Sequence, residues 1–136
     1  MNTFNLSILT ADRVFYKGPC EHLMVPTLDG LYGIMANHSN VISAIVEGVM
    51  NYRLPGHSDQ MVFVSKGLFK IENGDVLILV DSCERPEEID EHRARRAEEE
   101  AIRLLKQKNS KKEYYMAQAN LARAINRLKV KGRTMQ

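Results

Sequence analysis

Residues 86–132 read PEEIDEHRARRAEEEAIRLLKQKNSKKEYYMAQANLARAINRLKVKG. After Pro86 this stretch holds no glycine and no proline until Gly132, and it is rich in Ala, Glu, Arg, Lys, Leu and Gln. Glycine and proline cost about 1 and about 3 kcal/mol in a helix interior, so an unbroken run of about 45 residues of strong helix formers predicts long helices. Seven of the eight glycines and all four prolines lie at or before residue 86. The chain therefore reads as two kinds of polymer: a strand-and-turn domain over 1–84 and a two-helix unit over 85–136.

Within the helical run, Glu87-Glu88-Ile89-Asp90-Glu91 puts negative charge at a helix start, where the macrodipole favours it, and predicts a first helix over 87–107. Asn109-Ser110-Lys111-Lys112 is the polar break, and Ser110 with Glu113 resembles a capping box opening a second helix over 111–130. Ala94, Ala97, Ala101 and Leu104 recur at helical spacing in the first helix, as do Ala117, Leu121, Ala124 and Leu128 in the second, so an antiparallel hairpin is expected. An alanine stripe buries roughly a third of the area that leucines would, and at about 25 cal/mol per Å² such a hairpin is weakly held and able to open.

Residues 4–83 alternate short β-rich runs with turn residues every eight to twelve positions, the pattern of an antiparallel sandwich or barrel. The expected strands are 4–10, 13–18, 20–27, 31–35, 40–46, 48–54, 60–65, 67–72 and 75–81. Asn73-Gly74 supplies the positive φ angles of a tight hairpin, and Pro55-Gly56 reads as another turn. No helix fits between residues 40 and 80, which argues against an α/β fold with parallel strands.

Charge is divided unevenly. Residues 1–83 carry five Lys/Arg against eight Asp/Glu, while residues 84–136 carry fourteen against nine. A basic helical tail suits nucleic acid, anionic lipid or an acidic protein surface, or serves only as a solvated face. Cys20 and Cys83 stand in no disulfide or zinc spacing, which points to a reducing compartment. The longest apolar run, Val76 to Val80, is far below the ~20 residues needed to cross a bilayer, so the protein is expected to be soluble. There is no P-loop, no GxSxG elbow and no HExxH helix, and Ser65-Lys66-Gly67 reads as a bend or bulge rather than a nucleophile beside a base. His22, His38, His57 and His92 are isolated from other ligand types, so no metal site is expected. The chain reads as non-catalytic.

A β domain of about 85 residues followed by an alanine-rich helical hairpin resembles the ε subunit family of bacterial F-type ATP synthases, over the whole chain. The likeness is carried by Asp29-Gly30-Leu31-Tyr32-Gly33-Ile34-Met35-Ala36-Asn37-His38, similar to the family's Gly-Glu-Leu-Gly-Ile-Leu-Pro-Gly-His loop. It is carried too by Ser65-Lys66-Gly67-Leu68-Phe69-Lys70-Ile71, by Asn73-Gly74-Asp75-Val76, by Ile89-Asp90-Glu91-His92-Arg93-Ala94 and by Ala122-Arg123-Ala124-Ile125-Asn126-Arg127-Leu128. The resemblance implies a ten-stranded sandwich of two sheets followed by the hairpin. It also implies a rotor subunit that grips γ, rests on the ring of c subunits through Leu31, Tyr32 and His38, and lies on the cytoplasmic side of the bacterial plasma membrane as a peripheral part of the complex, reaching the membrane only through it. The hairpin would then inhibit ATP hydrolysis by setting its basic second helix against an acidic helix-turn-helix of a catalytic β subunit, within the ring that β forms with α.

The family's Ile/Leu-Asp-x-x-Arg-Ala motif binds ATP in some members and holds the hairpin folded. No cofactor is required, but ATP as a regulatory ligand is implied for the matching residues Glu84, Ile89, Asp90, Arg93 and Ala94, with Arg123 and Arg127 from the second helix. Arg123 and Arg127, as i,i+4 neighbours, can present two guanidinium forks to phosphates, and an Asp90 carboxylate could accept from an adenine amino group or a ribose hydroxyl. Read without the resemblance, Asp90 and Arg93 are an exposed ion pair and the two arginines solvate a face. Three departures stand out: Glu98-Glu99-Glu100 where ATP-binding members carry a further arginine, Leu31 where the family usually has Glu, and Ala36-Asn37 where it has Pro-Gly. The rival functions are a small basic nucleic-acid-binding module, which the net acidic β half disfavours, and a purely structural rotor subunit whose hairpin neither binds ATP nor inhibits.

Overall fold

The computed structural model describes residues 2–107 and 110–134 and divides into two compact units, Met1–Glu84 and Arg85–Gln136. The first holds ten strands: β1 (Phe4–Leu9), β2 (Val14–Cys20), β3 (His22–Thr27), β4 (Gly30–Ile34), β5 (Val41–Ile45), β6 (Gly48–Arg53), β7 (Gln60–Val64), β8 (Gly67–Glu72), β9 (Asp75–Val80) and β10 (Cys83–Glu84). The second holds a 3₁₀ turn (Pro86–Glu88), α1 (Glu91–Leu105) and α2 (Lys111–Thr134).

The strands form two five-stranded sheets, ordered β2-β1-β9-β8-β5 and β10-β7-β6-β3-β4. Their inner faces are apolar by alternation: Leu6 and Ile8, Leu23 and Val25, Phe69 and Ile71, Val76 and Ile78 are buried in one core. The turns follow their residues. Asn73 and Gly74 take φ of 52 and 83 between β8 and β9, as the tight hairpin requires. Gly56 takes φ 78 beside Pro55, where the His57 N–H donates to the Leu54 carbonyl at 3.0 Å.

Several sequence expectations need adjustment. One pair is parallel: β1 runs alongside β9 from Asn5↔Asp75 to Leu9↔Leu79, because the chain's first strand slots between its own hairpin partner β2 and a strand from the far end of the domain. β2 runs on through Gly18-Pro19 to Cys20. It is an edge strand, where proline's missing N–H leaves no ladder bond unmade. The short β10 has no counterpart among the strands read from the residues; it pairs Cys83 with Val64 and Glu84 with Phe63. Ser65-Lys66-Gly67 is the corner where the chain passes from one sheet to the other. There the Ser82 N–H donates to Ser65 Oγ at 2.6 Å, and a Cβ on Gly67 would strike the Leu79 carbonyl oxygen.

In the helical unit, α1 starts at Glu91 rather than at residue 87. Pro86 opens a separate 3₁₀ turn, Ile89 is extended (φ −89, ψ 125), and Asp90 is the N-cap. Of the small residues at helical spacing, Ala94, Ala101, Ala117 and Ala124 are buried along the α1–α2 seam, whereas Ala97 is exposed. The buried alanines recur every seven residues in each helix, and Ala97, three after Ala94, stands off that row. Ser110 accepts the Glu113 N–H at 3.2 Å, opening α2 as its sequence suggests; Asn109 lies outside the described residues. α2 runs past residue 130 to Thr134, carrying Gly132 inside it.

Candidate functional site

Three surfaces bear on function. The first is the β3–β4 turn. Thr27 Oγ1 donates to the Gly30 carbonyl at 2.6 Å, and Gly30 takes φ 107, closing a tight tip that leaves Leu28 and Leu31 85% and 59% exposed. Of the residues picked out here from the sequence, Leu31 faces solvent while Tyr32 and His38 are half-buried. Tyr32 Oη lies 2.9 Å from His38 Nε2, and His38 Nδ1 lies 2.8 Å from the Ser39 carbonyl oxygen.

The second surface is the outer face of the sheet β2-β1-β9-β8-β5. Val14 lies opposite Leu9, Leu9 opposite Leu79, Leu79 opposite Leu68, and Leu68 opposite Ala44. These five side chains form one apolar row across all five strands, roughly 19 Å at the ordinary spacing between strands. All but the half-buried Leu9 are exposed, and Ile42 beside them is 68% exposed. The next row reads Lys17, Ser7, Leu77, Lys70, and the one beyond it Pro19, Asn5, Asp75, Glu72. From these rows Lys17, Ser7, Leu77, Lys70, Asn5, Asp75 and Glu72 line a shallow cleft of about 590 Å³, in which Asn5 donates to Asp75 at 3.1 Å and Lys70 pairs with Glu72 at 3.1 Å.

Sequence reasoning missed this face, although its signal was present. Val76-Leu77-Ile78-Leu79-Val80 is apolar at every position in an antiparallel-type sandwich, where one face of a strand should be polar if water covers it.

The third surface is the helical unit. Six of the seven nucleotide-motif residues lie here; Glu84 belongs to the sandwich, half-buried in β10. Ile89 and Ala94 are buried, and Ala94 packs in the seam. Asp90 is exposed and caps α1, accepting the Arg93 backbone N–H at 3.1 Å; that bond holds its carboxyl below the usual aspartate range. Arg123 and Arg127 are half-buried on α2, and Arg123 Nη1 donates to Asn120 Oδ1 at 2.7 Å. Arg93 and Arg123 each immediately precede a buried seam alanine. In two antiparallel right-handed helices, such positions fall on the same flank of the pair. Glu98-Glu99-Glu100 is partly occupied within α1, since Arg103 donates to Glu100, and Arg95 to Glu91 one turn earlier.

Among the described residues, no three or more His, Cys, Asp or Glu side chains stand together as a metal site, and no helix is long and apolar enough to cross a membrane.

Family matches to known proteins cover residues 3–132. The family described as ATP synthase, Delta/Epsilon chain, beta-sandwich domain matches residues 3–86, and its companion, the long alpha-helix domain, matches residues 87–132. The ATP synthase epsilon chain of Caldicellulosiruptor bescii is 39% identical over 130 residues, covering 96% of this chain and 94% of the relative. That of Caldanaerobacter subterraneus subsp. tengcongensis is 40% identical over 129 residues, covering 94% and 93%. In fold, the chain is similar to one in the cryo-EM structure of the Euglena gracilis mitochondrial ATP synthase (OSCP/F1/c-ring), with TM-score 0.81, 18% identity, and 98% and 82% of the two chains covered. It is also similar to one in the Tetrahymena thermophila mitochondrial ATP synthase central stalk/c-ring structure, with TM-score 0.62, 10% identity, and 97% and 96% covered.

Proposed function

Because this chain belongs to the ATP synthase delta/epsilon family, we propose that it is a non-catalytic central-stalk subunit. It joins γ to the ring of c subunits through its sandwich and restrains ATP hydrolysis through its helices. The observation that carries this reading is the apolar row Val14, Leu9, Leu79, Leu68, Ala44. A sandwich with a complete core of its own gains nothing by aligning five apolar side chains on its outer face unless a partner covers them. We assign that partner as γ. The turn bearing Leu28 and Leu31 offers a second, smaller apolar tip, suited to the c-ring; the complex, and with it this subunit, then sits at the cytoplasmic side of the bacterial plasma membrane.

Glu113 is the one acidic residue in α2, against Lys111, Lys112, Arg123, Arg127, Lys129 and Lys131. A helix of one sign suits an acidic surface of the catalytic β subunit, inside the ring it forms with α. The alanine seam supports a hairpin that can leave its folded state at small cost. ATP as a regulatory ligand is supported by the shared flank of Arg93, Arg123 and Arg127, three guanidinium groups able to converge on phosphates only while the hairpin is closed. ATP would therefore favour the closed form through its differential affinity for it.

Docking through the row is tested with the full chain carrying Leu68→Glu and Leu79→Glu, titrated into an αβγ complex prepared without it. A loss of binding of at least tenfold, with an unchanged far-UV spectrum, is expected. Wild-type affinity in the double variant would mean that γ docks elsewhere.

A further inference from the structure

β4 and β5 are edge strands of different sheets, and the connection between them crosses the open edge of the sandwich. That connection, Met35-Ala36-Asn37-His38-Ser39-Asn40, has neither glycine nor proline to set its path. Asn37 nevertheless takes φ 66, in the left-handed region, which an L-residue enters at a cost of about 1 kcal/mol. The bonds around it supply what the backbone lacks. The Tyr32 ring, on β4, packs 5.3 Å from that of Phe69, a fully buried residue of β8 in the opposite sheet. Tyr32 Oη then reaches His38 Nε2 at 2.9 Å, and His38 Nδ1 reaches the Ser39 carbonyl at 2.8 Å.

The proton order follows from the acceptor at the end. A carbonyl oxygen only accepts, so Nδ1 must carry a hydrogen; in the neutral imidazole Nε2 is then a lone pair, and the Tyr32 hydroxyl donates to it. Every polar atom in the series has one role, and the series runs from the core to the crossing loop.

We propose that Phe69, Tyr32, His38 and Ser39 form a clasp across the sandwich edge, and that Tyr32 and His38 are positioning residues for the exposed tip of Leu28 and Leu31 rather than residues that touch a partner. This rests on the docking role given above to that tip. Tyr32 is the neighbour of Leu31 on β4, so anchoring its ring and hydroxyl fixes the strand that ends in the tip.

Two measurements on the full chain test the clasp. Long-range proton–nitrogen NMR correlations report the His38 tautomer: hydrogen on Nδ1 is expected, and hydrogen on Nε2 overturns the assignment. The second is affinity for an αβγ–c-ring complex prepared without this chain. Tyr32→Phe keeps the ring on Phe69 but removes the donor, and is expected to weaken binding roughly fivefold, the worth of one buried hydrogen bond. His38→Leu should match it, while His38→Gln, whose amide oxygen can accept from Tyr32, should restore most of the affinity. If Leu31→Ser weakens binding and Tyr32→Phe does not, the positioning role is wrong and the docking tip stands. If Leu31→Ser has no effect, the docking tip fails and the positioning role with it, while the tautomer still reports on the clasp.

Discussion

Asp90 meets Arg93 through the backbone: its carboxylate accepts the Arg93 N–H at 3.1 Å and so caps α1. The two residues of the motif are thus joined in building the helix start before any ligand arrives. Asp90→Ala should fray the first turn of α1 and lower the helical signal in far-UV circular dichroism, whereas Asp90→Asn, whose amide oxygen can still accept, should retain it. A helical signal unchanged in Asp90→Ala would show that Pro86 and the 3₁₀ turn start the helix unaided.

The same bond makes the cap sensitive to acid. The folded-state pKa of Asp90 is lowered, first by the Arg93 backbone hydrogen bond. Its stabilisation is therefore complete above the ordinary aspartate pKa and is lost as pH falls through the lower, folded value. Acid titration of α1 helicity should show a larger loss in that window in the wild type than in Asp90→Asn, where the Glu100–Arg103 pair still responds to acid.

Arg123 and Arg127 are the residues to remove in testing the nucleotide. Arg123→Ala with Arg127→Ala should lower ATP affinity of the full chain at least tenfold by calorimetric titration, since two guanidinium–phosphate contacts are lost. Equal ATP binding by wild type and the double variant, or none by either, would leave the two arginines only the solvating role that their sequence also allows.

The seam sets how readily the hairpin opens. Ala117 is buried in it, and Ala117→Leu has no room without separating the helices, at a cost of about 1–3 kcal/mol to the closed form. The variant should melt at lower temperature in its helical signal and should inhibit ATP hydrolysis more strongly than wild type. Weaker inhibition would mean that the closed hairpin is the inhibitory form.

Among the glycines, Gly67 leaves the least room for a side chain. A Cβ there meets the Leu79 carbonyl oxygen and the Val80 backbone, so Gly67→Ala should destabilise the sandwich by about 3 kcal/mol or more, read as a fall in the denaturant midpoint. A midpoint within error of wild type would show that β8 and β9 separate there easily.

Much of this architecture was legible from residue order. The glycine- and proline-free run after Pro86 announced the helices, and Asn73-Gly74 announced the β8–β9 hairpin, because both signals are local. What stayed hidden depends on partners distant in sequence. The parallel β1–β9 pairing joins residues about seventy positions apart, and no local propensity encodes it. The exposure of Ala97 depends on how α1 and α2 pack against each other, which the spacing within one helix does not decide. At the site, the motif residues could be named from their order, but not the capping role of Asp90, which needs Asp90 itself outside the helix. The apolar row was missed because the Val76–Val80 run reads equally well as a strand buried on both faces.

Anchoring by the sandwich and restraint by the helices together make up the proposed function. It is tested most directly by ATP hydrolysis of an αβγ complex with the full chain and with a chain ending at Glu84, which keeps β10 in its sheet. Both forms are expected to bind the complex, and only the full chain to slow hydrolysis. Equal slowing by both forms, or slowing by neither while both stay bound, would contradict it.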